Sequence, residues 1–219
     1  MARGVFVTGT GTEVGKTVVA ATIARTLSSA GQRVAVFKPA VTGLDEGVET
    51  DHELLRRASG SSQSDAEIAP YRYGPPASPH LAAALVGEEI DPERLRRAAA
   101  AAAEGAEGAD AIVCEGVGGL LVPLSPGYLV RDLAVDLGYP LVVVASPGLG
   151  TINHTLLTVE AARATGLQVA AIVLNPWPSD PSEIEPSNRE TIADLAGAPV
   201  LTLPRLDLAT PESWPSLQI

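Results

Sequence analysis

The chain of 219 residues contains a single cysteine, Cys114, and only three histidines. One cysteine excludes an internal disulfide, and because no signal peptide is recognisable, the chain is expected in a reducing cytoplasm. The histidines His52, His80 and His154 lack the spacing of zinc ligands, so no zinc site is expected. Cys114 lies in a short apolar segment and is predicted to be a small buried hydrophobic residue rather than a nucleophile.

Long apolar segments, basic clusters and aromatic residues are also scarce. No apolar run approaches the roughly 20 residues that a membrane-spanning helix needs. The formal net charge of −11 comes without a basic block that could neutralise nucleic-acid phosphates. Small aliphatic residues in short runs are typical of strands that helices cover on both faces. The composition therefore predicts one α/β domain over residues 1–219, with neither a membrane nor a nucleic acid as partner.

The most informative segment is residues 4–17, in which an apolar strand leads into a glycine-rich turn. The turn ends in Gly15-Lys16-Thr17, and a helix-forming stretch, residues 18–27, follows at once. This strand–turn–helix context is that of a P-loop, where backbone N–H groups and the helix N-terminus hold phosphates. The lysine approaches the terminal phosphates and the threonine approaches Mg²⁺. The segment therefore predicts nucleotide binding.

Beyond the P-loop, short apolar strands alternate with helical segments. The predicted strands cover residues 33–37, 111–114, 141–145, 169–174 and 200–203. This alternation predicts an α/β fold of the P-loop NTPase type, with a doubly wound, mostly parallel sheet. Residues 60–79 are rich in Ser, Pro and Gly and predict a long surface loop, part of which is expected near the site or an interface.

Polar side chains follow these strands at their carboxyl ends, where open parallel sheets bind ligands. Lys38 follows the second strand, Glu115 the third and Asn175 a later one, and Asp51 begins a helix after the second strand. Thr17, Asp51 and Glu115 offer the hard oxygen ligands that suit Mg²⁺ beside a phosphate. Two plainer interpretations stay open: Asp51 as a helix N-cap, and Lys38 as a solvated lysine at a strand end.

Five short segments carry a more specific signal. They are VTGTGTEVGKT at 7–17, KPAVTG at 38–43, EGVGG at 115–119, LGTINH at 149–154 and LP at 203–204. In this order and at these spacings, from about residue 4 to about residue 206, the chain resembles the dethiobiotin synthetases of biotin biosynthesis. The resemblance implies a homodimer of P-loop α/β subunits that uses ATP and Mg²⁺ to join CO₂ to 7,8-diaminononanoate (7,8-diaminopelargonate). A carbamate and a carbamic-phosphoric anhydride lead to the cyclic urea, with release of ADP and phosphate.

The same resemblance implies roles for individual residues. Lys38 is implied to be catalytic together with Lys16, and Mg²⁺ is implied to bind Thr17, Asp51 and Glu115. The residues implied to contact the nucleotide are Glu13, Val14, Gly15, Lys16, Thr17, Val18, Asp51, Glu115, Gly116, Val117, Gly118, Asn175, Pro176, Pro204, Arg205 and Leu206. Those implied to contact the substrate are Thr12, Thr42, Gly150, Thr151 and Asn153, the last three across a dimer interface.

The chain departs from the family pattern at two places. Gly11 stands where the family commonly has Asp, which predicts a looser P-loop with intact phosphate binding, whereas the position of Gly9, one residue early, departs only from the usual P-loop pattern of glycine, four residues and Gly-Lys-Ser/Thr. Pro176 and Trp177 follow Asn175 where the base is expected to bind, and proline removes a backbone donor. The choice between ATP and another triphosphate therefore stays open.

Two other P-loop classes are alternatives. Corrinoid-acid amide synthases share the P-loop but carry a glutaminase domain with a nucleophilic cysteine, for which this chain has no room. ParA/MinD-like partitioning ATPases usually have a second lysine early in the P-loop, where this chain has Thr10 and Gly11. They also often carry a basic or amphipathic surface, which the sequence does not show.

Overall fold

The protein is described by a computed structural model over residues 3–44, 50–105 and 108–219. The strands are β1 (Arg3–Gly9), β2 (Val34–Phe37), β3 (Ala40–Val41), β4 (Tyr71–Arg72), β5 (Ala111–Glu115), β6 (Pro123–Ser125), β7 (Tyr128–Leu129), β8 (Leu141–Ala145), β9 (Val169–Trp177) and β10 (Val200–Pro204). The helices are α1 (Lys16–Ser29), α2 (Asp51–Ser59), α3 (Asp65–Ile68), α4 (Pro79–Leu85), α5 (Pro92–Glu104), α6 (Val130–Leu137), α7 (Thr151–Arg163) and α8 (Ile184–Ala196), with a 3₁₀ turn at Pro211–Ser213. Within these ranges, no helix combines the length and the apolar character needed to cross a bilayer.

A six-stranded sheet in the order β10-β9-β8-β1-β5-β2 forms the centre, and every neighbouring pair is parallel. The pair β3–β4 and the hairpin β6–β7 lie outside it. The parallel α/β fold predicted from the alternation of strands and helices is confirmed. Because all six strands run the same way, their carboxyl ends lie along one edge, and the P-loop, Lys38 and Glu115 meet there.

Successive side chains of the central strands enter apolar clusters on opposite faces of the sheet. In β8, Val142 and Val144 pack in the cluster that contains α1 and α2. Leu141 packs in the cluster of α5 and α6, and Val143 packs with α7 and α8. Burial on both faces explains why these strands read as continuous apolar runs. Cys114 is fully buried in β5, as predicted, and burial raises the pKa of its thiol.

The prediction of a long surface loop over residues 60–79 is wrong for α3 and β4, although most of the segment lies outside helices and strands. The segment contains α3 and β4, and it closes the edge of the sheet next to β2. The Gln63 side-chain amide accepts from the N–H of Val36 at 2.8 Å and donates to its carbonyl at 3.2 Å. The carbonyl of the fully buried Ile68 accepts the N–H of Lys38 at 2.8 Å. The serine and proline content indicated a loop. The segment is instead held by burial of apolar side chains such as Ile68 and by the hydrogen bonds between the Gln63 side chain and the backbone of Val36.

Candidate active site

The P-loop joins β1 to α1 through two residues in the left-handed region of backbone space. Gly15 has φ 85°, and Glu13, at φ 62°, is the one non-glycine residue with positive φ in the described ranges. Such a conformation is uncommon for a residue with a side chain and is maintained by the surrounding structure. Lys16 begins α1, is 7% exposed and donates from Nζ to the carbonyl of Gly11 at 2.8 Å.

The side chain of Asn175 is hydrogen-bonded to the backbone of this loop. Its side chain is buried, and Nδ2 donates to the carbonyl of Val14 at 3.2 Å. A Cβ built on Gly15 would collide with the same Nδ2 atom. Glycine is therefore required at position 15 for two reasons. Its backbone is left-handed, and the neighbouring Asn175 amide leaves no room for a side chain.

Gly15→Ala is accordingly expected to weaken ATP binding by about 5-fold to about 100-fold. Left-handed strain costs about 1–3 kcal/mol, and 1.4 kcal/mol corresponds to a factor of about ten. Isothermal titration with ATP measures the effect. Gly11→Ala is the matched control in the same loop, because a Cβ at Gly11 meets no atom within 4 Å. Equal losses in the two variants would contradict the argument.

Behind the P-loop, Lys38 holds together two carboxylates. Its Nζ lies 2.6 Å from Asp51 Oδ2 and 2.6 Å from Glu115 Oε1, and it donates to the carbonyl of Gly116 at 3.3 Å. The Thr17 hydroxyl lies 2.8 Å from Asp51 Oδ1 and 2.9 Å from Glu115 Oε1. The interpretation of Lys38 as a solvated lysine is wrong, because the residue is 2% exposed.

Asp51 is not the helix N-cap that the alternative interpretation required. Thr50 is the N-cap, and it forms a capping box with Glu53. A capping box satisfies two otherwise unpaired groups at the helix start. Since Thr50 is the N-cap, the Asp51 carboxylate is available to Lys38 and Thr17.

The charges in this cluster shift one another's pKa values. Burial acts to lower the pKa of Lys38, but the carboxylates of Asp51 and Glu115 outweigh it and the pKa is raised. The Lys38 ammonium lowers the pKa of Asp51, whereas burial raises that of Glu115. Burial, followed by the charge of Lys38, lowers the pKa of Lys16. Lys38 is thus a protonated lysine at neutral pH, and Asp51 is an ionised carboxylate.

The cluster has the chemistry of a partial magnesium site. Thr17, Asp51 and Glu115 present hydroxyl and carboxylate oxygens, which Mg²⁺ prefers. Glu115 Oε2 is buried and has no hydrogen-bond partner among the described residues. Among all the residues that the structure describes, no group of three or more His, Cys, Asp or Glu side chains is arranged to hold a metal ion. Other Mg²⁺ ligands would have to come from water and phosphate, as is usual for this ion.

A cleft of about 590 Å³ opens over the P-loop and the carboxylates. The predicted site residues that line it are Thr12, Glu13, Gly15, Lys16, Thr17, Val18, Lys38, Thr42, Asp51, Glu115, Val117 and Gly118. The predicted residues that do not line it are Val14, Gly116, Asn175, Pro176, Pro204, Arg205, Leu206, Gly150, Thr151 and Asn153. Val14 and Gly116 instead contribute the carbonyls that bind Asn175 and Lys38.

Four lining residues escaped prediction: Ala40, Thr50, Leu54 and Leu208. Of these four, Thr50 could have been indicated by the sequence, because Thr50 and Glu53 have the spacing of a capping box at the start of α2. Leu208 lies in an irregular segment after β10, where no periodic pattern exists.

Comparison with known proteins agrees with this geometry. A family profile described as an AAA domain matches residues 3–213. The ATP-dependent dethiobiotin synthetase BioD of Anaeromyxobacter dehalogenans strain 2CP-1 is 46% identical over 193 residues, which are 88% of this chain and 85% of that protein. The enzyme of the same name from Bacillus subtilis strain 168 is 38% identical over 213 residues, 96% of this chain and 91% of that protein.

Among solved structures, a ParA family ATPase from Chlorobium tepidum aligns with a TM-score of 0.57 and 17% identity, covering 97% of this chain and 90% of that chain. Identity this low supports the shared P-loop NTPase fold and nothing finer. The sequence relatives are far closer and match along nearly the whole length. The chain belongs to the ATP-dependent dethiobiotin synthetase family.

Proposed function

We propose that the protein joins CO₂ to 7,8-diaminononanoate and closes the cyclic urea of dethiobiotin, using ATP and Mg²⁺ and releasing ADP and phosphate. One observation carries this proposal: Lys16, Thr17, Lys38, Asp51 and Glu115 converge in one cleft at the carboxyl edge of the sheet. In that cleft the Lys38 ammonium lies 2.6 Å from the carboxyl groups of both Asp51 and Glu115, and Lys16 lines the same cleft. A triphosphate adds negative charge, which the lysines, the P-loop amides and a divalent cation can offset.

The proposed chemistry matches the residue types. One amine of the substrate adds to CO₂, loses a proton and becomes a carbamate anion. The carbamate oxygen attacks the γ-phosphorus and ADP leaves, which gives the carbamic-phosphoric anhydride. The second amine then attacks the carbonyl carbon, loses its proton and expels phosphate. Because the first nucleophile is already an anion, the site needs orientation and charge stabilisation more than a strong side-chain base.

The residues of the cleft divide this work. Lys16 binds the terminal phosphates. Lys38 stabilises the negative charge that the carbamate and the moving phosphoryl group share. Thr42 binds the substrate or its carbamate through its hydroxyl. Thr17, Asp51 and Glu115 would hold Mg²⁺, which supplies further neutralisation of phosphate charge when bound.

The base and the substrate carboxylate are proposed to bind beyond the lined cleft. Asn175, Pro176 and residues 204–206 are assigned to the base. Gly150, Thr151 and Asn153 lie at the start of α7, where a helix N-terminus favours an anion.

Because the start of α7 does not line the cleft of its own chain, the proposal includes a homodimer. In it, this helix end reaches the substrate in the other protomer's cleft. Leu149, next to it, is 96% exposed, in keeping with a surface that a second copy covers. Sedimentation equilibrium that returns a monomer under assay conditions would remove this part of the proposal.

The decisive experiment is product identification. The protein is incubated with ATP, Mg²⁺, bicarbonate and 7,8-diaminononanoate, and the mixture is analysed by mass spectrometry. Dethiobiotin is expected, together with phosphate release that requires both the diamine and bicarbonate. A partitioning ATPase would instead release phosphate without the diamine, and a corrinoid amide synthase would not use it.

A further inference from the structure

Helix α8 carries a buried amide side chain on its apolar face. Asn188, Ile192 and Ala196 recur at four-residue spacing, and all three are buried. Ile192 and Ala196 pack in the apolar cluster that contains strands β8 and β9. Asn188 is 8% exposed, and a buried amide is unfavourable unless it is hydrogen-bonded. The hydrogen-bond partners of Asn188 must therefore explain why an amide occupies this face.

The partners of Asn188 are two carbonyl groups in the loop between β8 and α7. Its Nδ2 donates to the carbonyl of Pro147 at 2.9 Å and to the carbonyl of Gly148 at 3.2 Å. A backbone carbonyl only accepts, so the two N–H groups of the amide, and not its oxygen, face this loop. The side chain thus holds two consecutive carbonyl groups toward α8.

This loop leads directly into the start of α7, the helix end that the proposed function assigns to the substrate carboxylate. The carbonyl of Gly148 also accepts the N–H of Thr151 at 3.2 Å. Gly150 is the N-cap, with φ 89°, and within the described ranges no side chain caps this helix. The N–H groups at such a start are open to an anion, which the helix dipole also favours.

The direction of the loop carbonyls decides how well this helix end receives an anion. A carbonyl oxygen carries partial negative charge, so an oxygen turned toward the start of α7 would repel a carboxylate there. Glycine at positions 148 and 150 gives the backbone the freedom to make such a rotation. The hydrogen bonds from Asn188 limit that freedom, because they hold both oxygens on the side of α8.

We propose that Asn188 is a positioning residue for the carboxylate of the substrate. It holds residues 146–150 so that the start of α7 presents N–H groups, rather than carbonyl oxygens, to the substrate in the other protomer's cleft. The inference rests on the proposed function, which places the carboxylate at this helix end. It adds to the substrate site a residue of α8 that does not itself line the cleft.

The first test compares two diamines. 2,3-Diaminooctane has the two amines and the alkyl chain of 7,8-diaminononanoate but hydrogen in place of the carboxyl group. Asn188→Leu keeps the size of the side chain and removes its donors. The KM of this variant for 7,8-diaminononanoate is expected to rise about tenfold, because two buried carbonyls lose their donor. Its kcat, its dissociation constant for ATP and its kcat/KM for 2,3-diaminooctane should stay close to wild type.

Ile192→Val is the matched control for packing. It removes one carbon from the same buried face of α8, one turn further along. We expect it to lower Tm without changing KM for either diamine. Asn188→Ala repeats the main test with a smaller side chain if Asn188→Leu fails to fold, and the same rise in KM at constant kcat is expected.

The second test uses mixed dimers in which only one cleft is active. Lys38→Met inactivates the cleft of its own chain, and two different affinity tags isolate the mixed dimers. With Asn188→Leu and Lys38→Met on separate chains, the active cleft receives an α7 held by Asn188, and the wild-type KM is expected. With both changes on one chain and a wild-type partner, the active cleft receives the altered loop, and the raised KM is expected.

Three outcomes would overturn the role of Asn188: an unchanged KM for 7,8-diaminononanoate, equal losses of kcat/KM for the two diamines, or the same KM in both mixed dimers. Each of them leaves dethiobiotin formation by the wild type untouched. A wild type that forms no dethiobiotin would instead overturn the proposed function, and this inference with it, so the two failures are distinguishable.

Discussion

Lys38→Met is expected to lower kcat for dethiobiotin formation by about 10²–10³-fold, while KM for ATP changes only slightly. Removing one preorganised donor from a developing negative charge costs about 3–4 kcal/mol of transition-state stabilisation. Lys38 is such a donor because both carboxylates hold its Nζ at 2.6 Å in the wall of the cleft. Lys16, anchored on the Gly11 carbonyl, retains the phosphates in the variant. Steady-state assays of dethiobiotin and ADP measure both parameters.

Lys38→Arg tests whether charge alone is sufficient. A planar guanidinium is larger than an ammonium group and cannot replace a point charge between Asp51 and Glu115, so the loss in kcat should persist. Turnover close to wild type in either variant would contradict the assignment of Lys38. A rise in KM for ATP with unchanged kcat would make Lys38 a ground-state ligand of the nucleotide instead.

The site residues that could be predicted from the sequence are those that lie at or directly after the carboxyl ends of strands. Lys16 and Thr17 follow β1 after a glycine-rich turn, and Lys38 and Glu115 lie at the ends of β2 and β5. In a parallel sheet such residues meet at one edge whatever the details of packing. Their convergence therefore follows from the sequence and the parallel sheet alone.

The rest depends on contacts between residues far apart in the chain. Arg57 reaches the Leu208 carbonyl across 151 positions, and Asn175 reaches the Val14 carbonyl across 161. Neither Leu208 nor the rest of residues 205–217 has a periodic pattern, because the segment is mostly irregular and is held by side-chain hydrogen bonds. Gln63 similarly completes the edge of β2 from a segment whose composition indicated a loop. Local pattern carries no information about such partners.

The nucleotide-free enzyme provides the last and most direct test of the carboxylate cluster. In Lys38→Met, Asp51 and Glu115 lose the ammonium that lies 2.6 Å from each of them, and Glu115 is fully buried. Removing one partner of a buried pair costs about 3–5 kcal/mol, and the lower end applies because the Asp51 side chain is 42% exposed and water screens it. For a chain of this size, about 3 kcal/mol lowers Tm by about 6–12 °C. Calorimetry in a chelating buffer measures the loss.

Addition of Mg²⁺ should reverse that loss in Lys38→Met but hardly affect the wild type. Without Lys38, the oxygens of Thr17, Asp51 and Glu115 are open to a divalent cation, which stabilises the folded state by mass action. In the wild type the Lys38 ammonium already contacts Asp51 Oδ2 and Glu115 Oε1. The double variant Lys38→Met with Glu115→Gln removes the excess charge and should be more stable than Lys38→Met alone and insensitive to Mg²⁺. Mn²⁺ binding, followed by electron paramagnetic resonance, should tighten in Lys38→Met and weaken in the double variant. If Lys38→Met binds Mn²⁺ no better than the wild type does, the lysine and the metal do not share these carboxylates, and the proposed magnesium site loses its structural basis.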